Sequence, residues 1–487
     1  MKKLIICVLI ISLVLTSCTE DSDRKILSST PENFEELLSM INYNHKSIIK
    51  PEIDFKEYIS DYKAEQVKWE GGFFNGTKHN GNDTITKKEI EDDIENLFTN
   101  LKNGYGLYNY FGGDEAFNLA KDNLMKKYEN VDNITVSLFI SQLANELKFI
   151  KDYHFHIYNA STNRPVLSYI FDEYEFEKVN GKYINKDNNK VAAKINKSED
   201  LESVFKLFIS SDGRLVYHPV ILSNDVVVSI NIEYEDNYKH DLIYSRNKFT
   251  YNIDEEIKLD IKSDIPIIRA ARMGFDQAKT GHNARKFLEY ADQYKDENIL
   301  IVDLRNNSGG NGILPLKWMN NYSSEFVATN YSSVKYITID KIKDYVNEDK
   351  DNYQPLNELS EVYGLDEISK EYSKALAHDD KFVSNENLLI ILANKNTGSA
   401  GEMFVDLAHN VENTIIVGTN TAGVLIGDST GYITLPNSKV PVTFGTGLSF
   451  FPENYFEEFV GFMPDLWVSG DAEEAVLNFI EKHINKK

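Results

Sequence analysis

Cysteine is nearly absent from this chain: 487 residues contain two, Cys7 and Cys18. Cys7 lies in the apolar run Leu4 to Leu15, between the basic start Met1-Lys2-Lys3 and the small residues of Leu15-Thr16-Ser17-Cys18. That layout is expected of a secretory signal peptide. Its removal would leave Cys18 alone, so no disulfide is available to the mature chain. Long apolar runs are scarce too. Leu4 to Leu15 falls short of the roughly twenty residues that cross a bilayer, and no other segment is long and apolar enough. Positive charge is also in deficit, with 52 Lys and Arg against 76 Asp and Glu and a net charge of −24. Loss of Lys2 and Lys3 makes the balance more acidic still. Such a chain is a poor partner for nucleic acid and is repelled by anionic lipid. Internal repeats and low-complexity segments are likewise missing.

What is present suits a large globular body of two to three domains. Ser399 stands in Asn396-Thr397-Gly398-Ser399-Ala400-Gly401-Glu402, directly after the apolar stretch Leu388 to Ala393. A continuous apolar run bounded by polar residues reads as a strand buried on both faces. Met403, Phe404, Leu407, Ala408 and Val411 then recur at helical spacing. Ser399 is therefore expected at a strand-to-helix junction on the carboxyl edge of a parallel sheet, where open α/β sheets carry their reactive groups. Ser399 and Glu402 also fit an S-x-x-E capping box, which needs no chemistry.

Three further elements keep this serine company. Asn298 to Leu304 is another apolar strand, and it runs into Asp303-Leu304-Arg305-Asn306-Asn307-Ser308-Gly309-Gly310. Thr414 to Gly418 is a third strand, followed by Thr419-Asn420-Thr421-Ala422-Gly423. Gly461-Phe462-Met463-Pro464-Asp465 follows the acidic pair Glu457 and Glu458. This ordered set resembles the C-terminal processing (tail-specific) and tricorn-like serine peptidases, from about Ile265 to the C-terminus, with one more element near His154. The resemblance implies an α/β fold with a ClpP/crotonase-like catalytic core. It implies Ser399 as nucleophile and the amides of Gly309, Gly310 and Ala400 as oxyanion-hole donors. Asp303 and Arg305 are read as structural residues that fix the loop.

The processing branch of that family takes a lysine as base, and Val424 occupies its position here. The tricorn-like branch takes a histidine, which Lys151-Asp152-Tyr153-His154-Phe155-His156 supplies as His154, with His156 on the same strand face as an alternative. A late glutamate, Glu458 or the neighbouring Glu457, is implied as the group orienting the imidazole. A hydroxyl nucleophile needs such an adjacent base. Tyr153 replaces the serine that precedes the histidine in that branch. With His154 as base, kcat/KM is expected to rise with pH through one group near neutrality.

The remaining chain divides into residues 1–17 as a lipoprotein signal peptide, 18–35 as a tether, 36–158 as a helical region, 159–262 as a β-rich insert and 263–487 as the peptidase core. Thr86-Lys87-Lys88-Glu89 is a capping box before a helix carrying Ile90, Ile94, Leu97, Phe98 and Leu101. Cys18 is the expected lipidation site, which would place the protein in a bacterial cell envelope, anchored outside the cytoplasm. A peptide or protein is the expected substrate, the membrane is met through the lipid anchor, and no cofactor or metal is required. Two rival readings remain. In one, Asp152, His154 and His156 on one strand face hold a metal; in the other, the fold is kept as a non-catalytic peptide-binding lipoprotein.

Overall fold

The computed structural model describes residues 26–51, 58, 67–71, 80–245, 255–273, 280–335, 382–428 and 431–484. The expected signal peptide and Cys18 lie outside the described residues. Strands Ile265–Ala270, Ile299–Asp303, Leu388–Ala393 and Thr414–Gly418 lie side by side and parallel. Helices Thr280–Tyr294, Ile313–Ser323 and Ala400–Ala408 intervene along the chain. These strands are apolar on both faces because helices cover both. Ile268, Leu300, Val302, Leu389, Ile391 and Ile416 face those three helices through Phe287, Trp318 and Phe404. Alternate residues Ile267, Ile301, Ile390, Ile415 and Val417 meet Leu37 and Ile41 of helix Phe34–Lys46, with Val476 and Phe479 of helix Ala472–His483. The two-residue period of a strand delivers these two sets to opposite sides.

The sheet runs on past its core. Strand Leu466–Trp467 pairs parallel with Thr414–Gly418 on one side and with Phe205–Ile209 on the other. Beyond it, Leu215–Ser223, Phe176–Val179 and Lys182–Asn185 continue antiparallel, so these strands of the β-rich segment share one sheet with the core, while Ala192–Ile195, Ser229–Tyr234 and Lys239–Ile243 form a separate sheet. Helices Lys87–Gly104, Gly113–Tyr128 and Val136–Glu146 pack on a smaller sheet. In it, His156–Ile157 pairs with Pro441–Phe444. Thr86 caps the first of these helices, and Glu89 returns a bond to the Thr86 amide at 2.8 Å. Among the described residues no helix is long and apolar enough to cross a membrane.

Candidate active site

Strand Leu388–Ala393 ends in a loop stitched to its neighbour. Thr397 donates its hydroxyl to the Leu304 carbonyl at 2.8 Å, and the Gly398 amide donates to the Asn307 carbonyl at 2.9 Å. Ser399 follows with φ 52° and ψ −121°, immediately before helix Ala400–Ala408. A non-glycine residue in this region is strained by about 1–3 kcal/mol, and it persists only where the surroundings fix it. A serine on such a turn projects its hydroxyl above the carboxyl ends of the strands.

Gly309 crosses over the serine. At φ 98°, a Cβ there would lie 2.6 Å from Ser399 Cβ and 3.0 Å from the Ala400 nitrogen, so only glycine fits. Asn307 holds the crossing: its Oδ1 accepts the Gly309 amide at 2.9 Å, and its Nδ2 donates to the Ala270 carbonyl at 2.8 Å. The Gly309 amide is thus engaged, and Gly310 presents the next one. The Ala400 amide opens its helix, where the first amides have no intrahelical acceptor. Arg305 grips Asp303 with two bonds of 2.9 and 2.7 Å and Asp471 with a third of 2.7 Å, bracing the loop from below.

Glu402 does more than cap a helix. Fully buried, it accepts the Ser399 amide at 3.1 Å, the Thr421 hydroxyl at 2.5 Å and the amides of Gly423 and Val424 at 2.7 Å each. Burial pushes its carboxyl up to about 7 against these four bonds. The Thr421–Val424 turn is thereby gathered against the nucleophile. Val424 is buried and lies close enough that a Gly398 Cβ would meet its Cγ2 at 3.6 Å, so an apolar side chain flanks the serine there.

The same segment runs on to the histidine loop. Glu458 accepts the Leu425 and Ile426 amides at 3.1 and 3.0 Å through Oε2 and the Tyr153 amide at 2.9 Å through Oε1. Asp152 Oδ1 accepts the His154 amide at 2.9 Å and stands 4.0 Å from His154 Nδ1, while Oδ2 accepts the Tyr105 hydroxyl at 2.9 Å. Burial pushes Asp152 up to about 7, with the Asp428 charge adding to the rise, and burial pushes Glu458 well above the usual carboxylate range, with the Asp152 charge adding to it. Burial pushes the His154 imidazole down to about 4, with Asp428 and the Gly427 carbonyl opposing. His156 is also lowered by burial, and its ring meets the Tyr153 ring edge-on.

The structure thus brings Ser399, Gly309 and Ala400 together, with Gly310 next in the chain and bridged to Met273, and it ties His154, Asp152 and Glu458 to a shared segment, residues 421–428. Among the described residues no hydrogen bond joins Ser399 to His154 or His154 to Glu458. Glu457 accepts the Gly461 amide through its backbone carbonyl at 2.8 Å. No group of three or more His, Cys, Asp or Glu among the described residues is placed to hold a metal ion. Sequence reasoning missed Glu402 as an organiser, Asn307 as the glycine holder and Tyr105 as the partner of Asp152. Only the S-x-x-E spacing of Glu402 carried a signal, and that spacing also belongs to ordinary helix caps.

Residues 264–468 match the model of Peptidase family S41. No curated protein matches the chain. Among solved structures, mature CPAF is 13% identical with a TM-score of 0.42, over 82% of this chain and 96% of that one. The photosystem II D1 C-terminal processing protease is 12% identical with a TM-score of 0.36, over 82% and 98%. A lipoprotein from Streptococcus agalactiae is 13% identical with a TM-score of 0.37, over 81% and 97%.

Proposed function

Through its residues 264–468 the chain is a serine-type peptidase of family S41, and on that premise we propose a lipid-anchored, extracytoplasmic endopeptidase in which Ser399 is the nucleophile. The observation that carries this reading is the strained Ser399 backbone with Gly309 crossing directly above it. Such strain at a strand-to-helix turn is retained where a reacting atom must be presented.

Ser399 Oγ adds to the scissile carbonyl carbon as its proton passes to His154. The Gly310 and Ala400 amides receive the oxyanion, a contribution worth about 3 kcal/mol per donor, and Gly309 supplies the turn that aims them. His154 returns the proton to the amine nitrogen as the C–N bond breaks. A water then releases the acyl group with the same base. On the resemblance to the tricorn-like branch, with Val424 standing where the processing branch has its lysine and His156 as the alternative, the base is taken as His154. Its bond to Ser399 is one that substrate closes, since catalytic hydrogen bonds tighten in the Michaelis complex. Glu458 supports the base by holding the loop that carries it. Cys18 bears the anchor, a reading that rests on the sequence of residues 1–18.

A fluorophosphonate probe tests the assignment. Wild-type protein should be labelled, and Ser399→Ala and His154→Ala should not. Labelling that persists in Ser399→Ala removes the nucleophile assignment, and a folded wild-type protein that never labels supports the peptide-binding reading instead.

A further inference from the structure

We propose that Asp152, fixed by the Tyr105 hydroxyl, is the positioning residue that orients the His154 imidazole by receiving its Nδ1–H, while Glu458 acts one residue away by holding the backbone. This rests on His154 serving as the base for Ser399.

Three carboxylates bear on the histidine loop, and their commitments differ. Glu458 spends both oxygens on the amides of Tyr153, Leu425 and Ile426, and none on the imidazole. Asp428 accepts the Gly447 amide at 2.7 Å and acts on the ring through its charge. Among the described residues, Asp152 is the carboxylate with an oxygen at ion-pair distance from a ring nitrogen, 4.0 Å from Nδ1. Among the described residues that buried nitrogen meets no partner in hydrogen-bond geometry, although the Gly427 carbonyl also acts on the ring. A gap of 4.0 Å is not a hydrogen bond; the proposal is that it closes in the substrate complex. Buried nitrogens without partners are rare and call for an explanation, and a bond completed with substrate present supplies one.

The seat of Asp152 is built. The residue is fully buried, its Oδ2 is tied to Tyr105, and its Oδ1 already accepts the His154 amide. Gly427 closes the third side, where a Cβ would come within 2.8 and 2.9 Å of the two carboxylate oxygens. Oδ1 therefore faces both the backbone and the ring of one residue. In the reaction Nε2 takes the Ser399 proton and later gives it to the leaving amine. Nδ1 keeps its proton throughout, and Asp152 stabilises the transient imidazolium without becoming protonated.

Full-length protein in detergent, as wild type and as Asp152→Asn, Tyr105→Phe and Glu458→Gln, tests this by two readings. One is the rate at which a fluorophosphonate labels Ser399; the other is the downfield proton NMR signal of the imidazole Nδ1–H in the fully labelled protein, where the adduct stands in for substrate. Asp152→Asn should slow labelling on the order of 10²-fold or more and lose the signal. Glu458→Gln should keep the signal while lowering the melting temperature. Labelling of Asp152→Asn within threefold of wild type overturns the proposal, as does a signal lost in Glu458→Gln and kept in Asp152→Asn. Should Asp152→Asn not fold, Tyr105→Phe decides: slowed labelling with the signal retained supports the proposal, and wild-type labelling overturns it. Undiminished labelling of His154→Ala would instead defeat the underlying base assignment, whatever Asp152 does.

Discussion

Burial that lowers His154 to about 4 keeps its ring neutral, and so able to accept a proton, across the whole neutral range. The adjacent Asp152 carboxyl is pushed the other way, up to about 7. Activity needs a neutral ring and an ionised carboxylate, so kcat/KM falls as pH drops through the higher of the two values. The acid limb of the wild type should therefore lie near 7 and belong to Asp152, with Tyr105, Glu458 and Asp428 the groups that surround it. In Asp152→Asn the residual limb should move down towards about 4. Rate profiles on a peptide selected from a library would reveal a limb that stays put, which would return the neutral titration to the histidine. The sequence assigns a neutral limb to His154, and the structure makes Asp152 its rival owner. Ser399 and its glycines could be read because strand, turn and helix residues lie consecutively. Glu402 and Asp152 could not, since their partners are largely backbone amides and a tyrosine far away in the chain.

Helix Phe34–Lys46 opens the region expected to be helical, and Phe34, Leu37, Leu38 and Ile41 form its apolar stripe, but its last turn is held by more than packing. What fixes it is polar. His45 Nε2 lies 3.0 Å from Asp465 Oδ1, both nearly fully buried, and Asp465 Oδ2 accepts the Ile416 amide at 2.8 Å. The His45 ring sits edge-on to His409, whose Nδ1 meets the Tyr455 hydroxyl at 2.7 Å, and Tyr455 donates to Asp406 at 2.8 Å. Asp406 lies in the helix that Ser399 begins, so the first helix is fastened to the nucleophile's helix. Despite burial, Asp465 is held below the usual carboxylate range, chiefly by His45. A lowered carboxylate stabilises the fold above its unfolded value, near 3.9, and that contribution is lost as pH falls through the folded value. Asp465→Asn should thus cost about 3–5 kcal/mol at pH 7. Urea titrations should find the deficit shrinking below about pH 4; an equal deficit at every pH would mean that charge is not what holds the helix. The Met463-Pro464-Asp465 motif was visible in the sequence, but the histidine it meets is hundreds of residues away.

At the scale of the molecule, strand patterning identified a β-rich segment but not its neighbours. Side chains announce which residues are extended, whereas the choice of sheet edge is made by amides that every sequence shares. Strand Phe205–Ile209 could therefore have belonged to a sheet of its own. Instead Phe208 pairs with Trp467, and Trp467 pairs with Gly418 on its other side. Continuity across this sheet passes through a two-residue strand, flanked by ladders of five paired residues on each side. Sheets open cooperatively in units, and a joint with few shared bonds divides one unit from the next. Native-state hydrogen exchange should find the amides at Leu466 to Val468 released well before those of Leu389 to Leu392; equal protection would mean the sheet opens as one body. Such a seam is a fault line with a direction: whatever loosens the β-rich half arrives first at Gly418, on the strand that feeds the turn gathered by Glu402 beneath the nucleophile.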